Sequence, residues 1–394
     1  MLKCYCRLAS RLVQIRISDA LAVTIIIHYT ATSATMKVFI ITLLATIAAV
    51  QASPLNASCT VTSYSGVAAA LKSCTTLVLK DITVPASTTL ELTLKNGASL
   101  TFAGTIRWAY AQWAGPLIEI KGNKVTVNGA GATLDGQGAK WWDGKGDKGV
   151  KKPKFLRIKT TGGSTIKNIK LLNCPKQCVS INSASNTVLD HFVVDVSAGD
   201  ANGKGHNTDG FDVSSSTGIT VQNSVVKNQD DCVAVNQGSN FIFRNLTCSG
   251  GHGLSLSVGQ SSASGSANTV KNVTFSDCTV LNSDNGIHVK THSDAGTGSV
   301  SDVTYKNINL SGIRKYGINV QEDYEKGHPT GKPKANIPVS KLTMSNVKGS
   351  MSGGMGVYIL CASGGCSNWS WSGVAISHGK KGNSCNFHPS GFSC

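Results

Sequence analysis

The sequence predicts an all-β protein, a right-handed parallel β-helix with a short helical cap at its N-terminal end. Three observations predict this fold. Short runs of β-branched residues, broken by Asn, Asp, Gly and Ser, fill most of the chain after residue 80. These runs recur with a loose period of between 20 and about 30 residues, which is typical of a solenoid. Helical periodicity is confined to residues 65–72.

The recurring strands favour a β-helix over other repeat folds. A propeller blade needs about 40–50 residues, and leucine-rich repeats need a regular leucine framework that this chain lacks. In a parallel β-helix each coil adds one strand to each face, about 4.8 Å from its counterpart on the next coil. The leading apolar positions that define the repeat are Ile166, Val188, Ile219, Ile242, Val270 and Val300.

The N-terminal part of the chain predicts three segments. Residues 36–52 have one basic residue, Lys37, an apolar run and a small-residue cleavage site before Ser53, which is typical of a signal peptide. We interpret residues 1–35 as a gene-model or otherwise non-native extension. Residues 53–394 contain no linker-like stretch and are predicted to form a single β-helix domain, whose residues 53–80 cover its open N-terminal edge.

Cysteine usage indicates a secreted, disulfide-bonded protein. Eleven of the 13 cysteines follow residue 52, and this number suits an oxidising compartment. Spacing suggests local pairs and leaves other connectivities open: Cys174 and Cys178 could pair, and Cys278 is then left over. The other candidates are Cys59 with Cys74, Cys232 with Cys248, Cys361 with Cys366 and Cys385 with Cys394. Glycosylation sequons, which also suit secretion, occur at Asn56, Asn245, Asn272, Asn309 and Asn368.

The net charge is consistent with an anionic partner. The chain carries 37 Lys and Arg against 21 Asp and Glu, a formal net charge of +16. No nucleic-acid-binding motif is evident, and aromatic residues are only 6% of the chain, so nucleic acid is not the expected partner. An acidic polysaccharide suits a secreted protein better. A membrane partner is not expected, because the one long apolar run is too short to span a bilayer comfortably.

Acidic residues repeat at the coil period. Asp209 and Asp231 are 22 residues apart, and so are Asp230 and His252. Residues one coil apart become lateral neighbours on one face of a β-helix, so these four side chains are expected to converge. Each aspartate alone could simply cap a turn, but four groups in register favour a site.

Clustered carboxylates have a specific chemical use. Like charges at close range raise one or more pKa values, so that one carboxyl keeps its proton at mildly acidic pH. Glycoside hydrolysis needs one protonated carboxyl, which donates to the leaving oxygen, and one carboxylate, which activates water. On the following coils, His288 and Lys290 share one face of a strand. Lys290 and Tyr316 could bind an acidic sugar.

These motifs resemble those of glycoside hydrolase family 28, the polygalacturonases. The matching segments are Asn207-Thr208-Asp209, Gln229-Asp230-Asp231-Cys232, Gly251-His252-Gly253 and Lys315-Tyr316-Gly317-Ile318. The resemblance covers essentially all of residues 53–394. It implies a pectin-lyase-like, right-handed β-helix that is secreted, monomeric and free of metals and cofactors. Its expected partner is homogalacturonan of plant cell walls.

The resemblance also implies an activity and roles for individual residues. The expected reaction is endo-type hydrolysis of α-1,4-galacturonosyl linkages with inversion. Asp230 would be the general acid, while Asp209 and Asp231 activate water and His252 tunes the acid. Lys290, Tyr316 and Asn207 would bind the sugar. Inverting enzymes commonly keep about 6.5–9.5 Å between acid and base.

Two departures border the expected site. The family pattern Arg-Ile-Lys is His288-Val289-Lys290 here, and the segment 253–259 is one residue shorter than usual. Histidine lacks the permanent, two-pronged charge of arginine. One alternative is therefore a catalytically impaired relative that binds galacturonan. A second alternative is a pectate lyase, which shares the β-helix but uses calcium and an arginine base.

Overall fold

A computed structural model describes Ser10–Ser18, Leu21–His28 and residues 58–394. The chain divides into two compact units, Met1–Ala52 and Ser53–Cys394. In the first unit, Ser10–Ser18 and Leu21–His28 pair as an antiparallel hairpin. The signal peptide at 36–52, Asn56 and most of the 1–35 extension lie outside the described residues, so these assignments stay predictions.

The second unit is a parallel β-helix, as the sequence predicts. One face, which we call sheet I, has twelve strands, and all but one of them pair in parallel. They are Leu90–Thr93, Ile118–Asn123, Leu156–Thr161, Val179–Asn182, Phe211–Ser214, Val233–Val235, Leu254–Val258, Asn285–His292, Tyr316–Glu325, His328–Pro329, Met355–Leu360 and Ser384–Cys385. The exception, His328–Pro329, folds back antiparallel on Tyr316–Glu325.

The remaining faces join into one nineteen-stranded parallel sheet, sheet II. Several of its strands are long because they continue around a corner of the coil. They are Ser58–Val61, Thr76–Lys80, Thr83–Val84, Ser99–Ala103, Thr105–Trp108, Thr126–Asn128, Thr133–Asp135, Ser164–Lys167, Lys170–Leu172, Ser185–Asp190, Val193–Asp195, Ser216–Lys227, Gly238–Ser249, Thr269–Leu281, Ser299–Ile313, Val339–Met351, Cys366–Ser367, Ser370–Ser372 and Ala375–Ser377.

Stacked side chains from successive coils fill the core. The rings of Phe243 and Phe275 lie 4.8 Å apart, and those of Phe275 and Tyr305 lie 4.7 Å apart, which matches the spacing of the strands. All three residues are fully buried. The inward row to which they belong runs through Ile166, Leu189, Val221, Phe243, Phe275, Tyr305 and Met344.

The row of Ile166 departs from the expected alignment at every later coil. It contains Val221, Phe275 and Tyr305 where Ile219, Val270 and Val300 were expected, and two further positions are off by one residue. Ile166 pairs with Leu189 rather than Val188, and Phe243 rather than Ile242 belongs to the inward row. Ile242 is 42% exposed. Because side chains alternate along a strand, a slip of one residue turns a position to the opposite face.

The N-terminal cap is one α-helix, Tyr64–Ser73, which extends the expected segment by one residue at each end. It buries Val67 and Ala70 against the first coils. The Cys59–Cys74 disulfide closes the helix onto the adjoining strands. The other helical elements are 3-10 turns at Gly138–Lys140, Gly146–Lys148, Ser197–Gly203 and Gly265–Asn268. Within the described part of the chain, no helix has the length and apolar character needed to cross a bilayer.

Five disulfides join cysteines of residues 58–394, and they are the pairs that cysteine spacing suggested. Cys174–Cys178 is among them, and Cys278 is the one described cysteine with a free thiol, which is buried. The remaining pairs are Cys59–Cys74, Cys232–Cys248, Cys361–Cys366 and Cys385–Cys394. The four described sequon asparagines are exposed, so their glycosylation stays a prediction: Asn245, Asn272, Asn309 and Asn368.

Candidate active site

A cleft of about 1040 Å³ lies on the outer face of sheet I. Its floor consists of outward-facing residues from successive strands, such as Asp212, Ala234 and Ser257. Its acidic centre contains the three predicted aspartates and Asp212. Basic residues along the same cleft are Lys145, Lys148, Lys154, Lys290 and Lys326.

Coil stacking brings the predicted acidic residues together. Phe211 pairs with Val233 on the next coil. Asp209 and Asp231 each precede one of these residues by two positions, so they lie side by side on neighbouring coils. The His252 amide donates to the Asp230 carbonyl oxygen at 2.8 Å. Asp209, Asp230, Asp231 and His252 all line the cleft. The predicted convergence of these four residues is therefore confirmed.

Three donors surround the Asp230 carboxylate. The amide nitrogen Nδ2 of Asn207 donates to Oδ2 at 3.1 Å, the backbone N–H of Asp231 donates to Oδ1 at 2.8 Å, and His252 Nδ1 lies 3.0 Å from Oδ1. Burial alone would raise the pKa of Asp230, but the hydrogen bond and charge of His252, together with Lys290, lower that pKa to about 2. In the same way, burial would lower the pKa of His252, and Asp230 raises it. The pair is therefore a histidinium beside a carboxylate.

The Asp231 carboxylate is held by a different set of donors. Ser255 Oγ donates to Oδ1 at 2.6 Å, and Lys290 Nζ donates to Oδ2 at 2.9 Å. Burial would lower the pKa of Lys290, but the charge of Asp231 raises it. Lys290 also lies 5.2 Å from the centre of the Tyr324 ring. Lys290 is thus charged and committed to Asp231.

Asp209 and Asp212 have the opposite electrostatic environment. Burial, followed by the charge of Asp230, raises the pKa of Asp209 well above its usual range. Its buried Oδ1 has no hydrogen-bond partner among the described residues. Burial also raises the pKa of Asp212, to about 7, although the charge of Lys154 opposes the shift. Burial therefore favours the protonated form of Asp209 and Asp212, whereas His252 holds Asp230 as a carboxylate and Asp231 is paired with Lys290.

The predicted site residue Tyr316 does not line the cleft. It lies at the start of its strand, in register with Asn285, and its ring packs 5.3 Å from that of Tyr358. The phenol at the cleft is Tyr324, at the other end of the same strand. The assignment of Tyr316 to the site is therefore wrong, because the part of this strand that reaches the cleft is its C-terminal end.

His288 is buried beneath the cleft rather than exposed in it. It is 7% exposed, and its ring nitrogens lie 3.3 Å from Asn285 Nδ2 and 3.3 Å from Gln321 Nε2. Burial, followed by the charge of Lys290, lowers its pKa well below the usual range. His288 is thus a neutral, buried residue that does not line the cleft.

Sequence reasoning missed four residues of the site: Asn228, Asp212, Ser255 and Tyr324. Asn228 is 2% exposed, and its Nδ2 donates to the carbonyl oxygens of Thr208, Asp230 and Asp231 at 2.9–3.0 Å. It thereby fixes two neighbouring coils where the aspartates emerge. The sequence signal for Asn228 and Asp212 was proximity to the acidic motifs. Ser255 and Tyr324 carry no such signal.

Two clusters of described residues bring three metal-ligating side chains within 4.8 Å of one another. In the cluster of Glu322, Cys361 and Cys366, the two sulfurs form a disulfide and are not thiolate ligands. In the second cluster, Asp230 is bonded to His252, and Asp231 is paired with Lys290. Neither donor set, as it is bonded, suits a resident cation.

A β-helix with a cleft of paired carboxylates defines a class of carbohydrate-active proteins, and comparison with known families identifies the family. Residues 74–394 match the model for glycosyl hydrolases family 28. The chain belongs to this family.

Relatives and solved structures agree with this assignment. A polygalacturonase of Phaedon cochleariae is 50% identical over 357 residues, covering 89% of this chain and 97% of its own. Endopolygalacturonase I of Aspergillus oryzae is 51% identical over 344 residues, covering 86% of this chain and 92% of its own. Endopolygalacturonase I from Stereum purpureum, solved with two galacturonate molecules, superimposes with a TM-score of 0.74 at 37% identity, covering 83% of this chain and 96% of its own.

Proposed function

We propose that this protein is a secreted, monomeric polygalacturonase that hydrolyses internal α-1,4-galacturonosyl linkages of homogalacturonan with inversion. The observation that carries the proposal is the division of one carboxylate cluster into protonated and ionised members within a cleft lined with lysines. Membership of family 28 and the polygalacturonase relatives support the substrate. Five disulfides are consistent with secretion.

The His252–Asp230 pair supplies the proton. In the free enzyme this proton resides on His252, 3.0 Å from Asp230 Oδ1. When the bond to the leaving sugar lengthens, the proton passes through Asp230 to the glycosidic oxygen as the C1–O bond breaks. Asp230 remains the acid that contacts substrate, and His252 stores its proton.

Asp231 and Asp209 handle the attacking water. Asp231, held by Ser255 and Lys290, is the carboxylate that receives the water proton as oxygen bonds to C1. Burial favours the neutral form of Asp209, which can position the same water by hydrogen bonding. Asp231 then releases this proton to solvent, and the His252–Asp230 pair takes up a new proton from solvent.

The basic cleft suits an acidic sugar. An ammonium group has three donors, and Asp231 accepts from one of those on Lys290, which leaves two for a substrate carboxylate. The Tyr324 ring, 5.2 Å from Lys290 Nζ, provides an apolar surface beside it. Lys145, Lys148, Lys154 and Lys326 extend the positive charge along the cleft.

The alternatives have less support. The impaired, binding-only relative rested on His288, which is neutral and buried, while the acidic cluster is intact. It finds no support in the polygalacturonase relatives. A pectate lyase needs an arginine base, and the described residues that line the cleft include no arginine.

The decisive experiment measures reducing ends released from demethylated polygalacturonate. Wild-type protein should release them without the ultraviolet absorbance of an unsaturated product. Asp230→Asn should lower kcat by about 10²–10⁴-fold, the usual contribution of a positioned proton donor, with an unchanged melting temperature. Asp277→Asn, an exposed aspartate on sheet II, is the matched control and should retain full activity. Polymer fragments of intermediate length would indicate internal cleavage.

An inactive wild-type protein would contradict the proposed function. An active Asp230→Asn variant would instead contradict only the assignment of the acid.

A further inference from the structure

Residues 143–152, which we call the basic loop, contact the catalytic cluster at one point. The backbone N–H of Asp147 donates to the side-chain oxygen Oδ1 of Asn207 at 3.0 Å. The amide nitrogen of the same Asn207 side chain donates to Asp230 Oδ2 at 3.1 Å. Asn207 therefore connects the basic loop to the carboxylate proposed as the acid.

This connection decides which way the Asn207 amide faces. An amide group presents either its oxygen or its nitrogen to a neighbour, and the two ends differ only by a flip of the group. A carboxylate accepts hydrogen bonds and repels an amide oxygen. The backbone N–H of Asp147 donates and therefore needs an acceptor, so it binds the oxygen of the Asn207 amide and leaves the NH₂ group facing Asp230.

A buried ion pair fixes the shape of the basic loop. Lys152 is 5% exposed. Its Nζ donates to Asp143 Oδ1 at 2.8 Å and to the carbonyl oxygens of Gly146 and Val150 at 3.0 and 3.1 Å. All three donors of the ammonium are thus used inside the loop. Asp143 in turn accepts the backbone N–H groups of Lys145 and Val150 at 3.0 and 2.8 Å.

The loop approaches Asn207 closely at Gly146. A β-carbon built on Gly146 would lie 2.1 Å from Asn207 Oδ1, and the φ angle of Gly146 is +53°. Only glycine therefore permits this approach without displacing the Asn207 side chain. Lys152 donates to the carbonyl oxygen of this same glycine, so the ion pair controls the point at which loop and site meet.

We infer that Lys152 and Asp143 are positioning residues for the proton donor: through the basic loop and Asn207, they orient the amide that donates to Asp230. The inference rests on the proposed function. Neither residue lines the cleft, and the Lys152 ammonium is enclosed by its own loop. Their effect on catalysis passes through Asn207.

The first test is Lys152→Met, which keeps the length of the side chain and removes its three donors. Loss of the Asn207 donor makes Asp230 more basic, so the pair holds its proton to higher pH. We expect kcat on polygalacturonate to fall about tenfold or more with a smaller change in KM. We also expect the kcat–pH profile to shift to higher pH by roughly one pH unit. A purely structural defect would lower activity without moving the profile.

The matched control is Lys151→Met. Lys151 is the exposed neighbour in the same loop, so this variant removes the same charge. It should leave the pH profile unchanged. Gly146→Ala is the second variant: it leaves the ion pair intact, displaces the Asn207 amide directly and should reproduce the upward shift even where Lys152→Met does not fold.

A double-mutant cycle and an NMR titration of His252, which does not depend on activity, test the inference further. In an Asn207→Ala background, Lys152→Met should have little further effect, because both changes remove the same donor. The pKa of His252, followed by NMR of its imidazole protons, should rise in Lys152→Met and Gly146→Ala and stay constant in Lys151→Met. This titration separates failure of the inference from failure of the proposed function. Additive effects, or folded variants with an unshifted His252 titration, would overturn the inference.

Discussion

Lys290 Nζ donates to Asp231 Oδ2 at 2.9 Å, and both residues are almost fully buried. The two side chains come from different coils and meet across the strand Leu254–Val258, which lies between them in sheet I. Lys290, which was expected to bind substrate, is therefore already paired with Asp231 in the free protein. This ion pair gives Asp231 a cationic partner that Asp209 and Asp212 lack.

Replacing Lys290 with Met should leave the buried Asp231 side chain without its cationic partner. Breaking a buried pair by removing one partner typically costs about 3–5 kcal/mol of stability, so the melting temperature should fall. The kcat should fall far more than KM rises. Lys326→Met, at the exposed edge of the same cleft, should raise KM a few-fold and leave kcat intact. Equal effects of the two substitutions on kcat would contradict this prediction.

His252 and His288 should differ in their effect on pH dependence. Asp230 raises the pKa of His252, whereas burial lowers the pKa of His288. The fall in kcat at alkaline pH should report loss of the proton held by His252. His252→Gln should therefore remove this alkaline limb of the kcat–pH profile. His288→Gln should keep the shape of the profile. An alkaline limb that survives in His252→Gln would show that another group holds the proton.

Asp212 should make substrate binding weaken as pH rises. Its pKa is raised to about 7 by burial, so it is neutral at pH 5 and becomes a carboxylate above pH 7. An added negative charge in the cleft repels galacturonate. The KM of the wild-type protein should therefore increase between pH 6 and 8, and Asp212→Asn should flatten this increase. The distant Asp277→Asn variant should follow the wild type.

Glu322 should make the fold less stable at alkaline pH. It is fully buried, its Oε2 accepts the Ala362 N–H at 2.7 Å, and burial raises its pKa to about 7 from an ordinary value near 4.5. Because the folded-state pKa lies above the unfolded one, stability is present at low pH and is lost as pH rises through this interval. Urea unfolding at pH 4.5 and pH 8 should show a loss on the order of 1–3 kcal/mol from this group.

The Glu322→Gln variant stays neutral at both pH values and should reduce that loss. Glu91→Gln, an exposed glutamate on sheet I, should behave like the wild type. Identical pH dependence in Glu322→Gln and the wild type would show that Glu322 is not the group responsible.

The stereochemistry of the product is an informative test of the site. Oxygens of Asp230 and Asp231 lie within 4.8 Å of each other, which is below the range of about 6.5–9.5 Å common for inverting enzymes. The expected spacing is therefore wrong for this pair. With water held between Asp231 and Asp209, we still expect the β-anomer as the first product, observed by ¹H NMR. A first-formed α-anomer would indicate a retaining mechanism with an aspartate nucleophile.

Period and alternation alone predicted the solenoid, since both are properties of consecutive residues. The 22-residue separations placed Asp209 beside Asp231 and His252 beside Asp230, and the structure agrees. Prediction was weaker where a turn absorbs an extra residue. Val188 and Ile242 were therefore assigned to the wrong face, and Tyr316 was taken for the phenol of the site.

The sequence by itself determined the β-helix and the acidic residues that share the cleft, because both follow from local pattern and spacing. It suggested the cysteine pairs without excluding other connectivities. Only the tertiary structure decided the partner of each carboxylate. Lys290 reaches Asp231 across 59 residues of sequence, and the basic loop reaches Asn207 across 60. Charge balance in a buried cluster depends on distances of a few ångströms between groups from different coils, and no linear spacing specifies those distances.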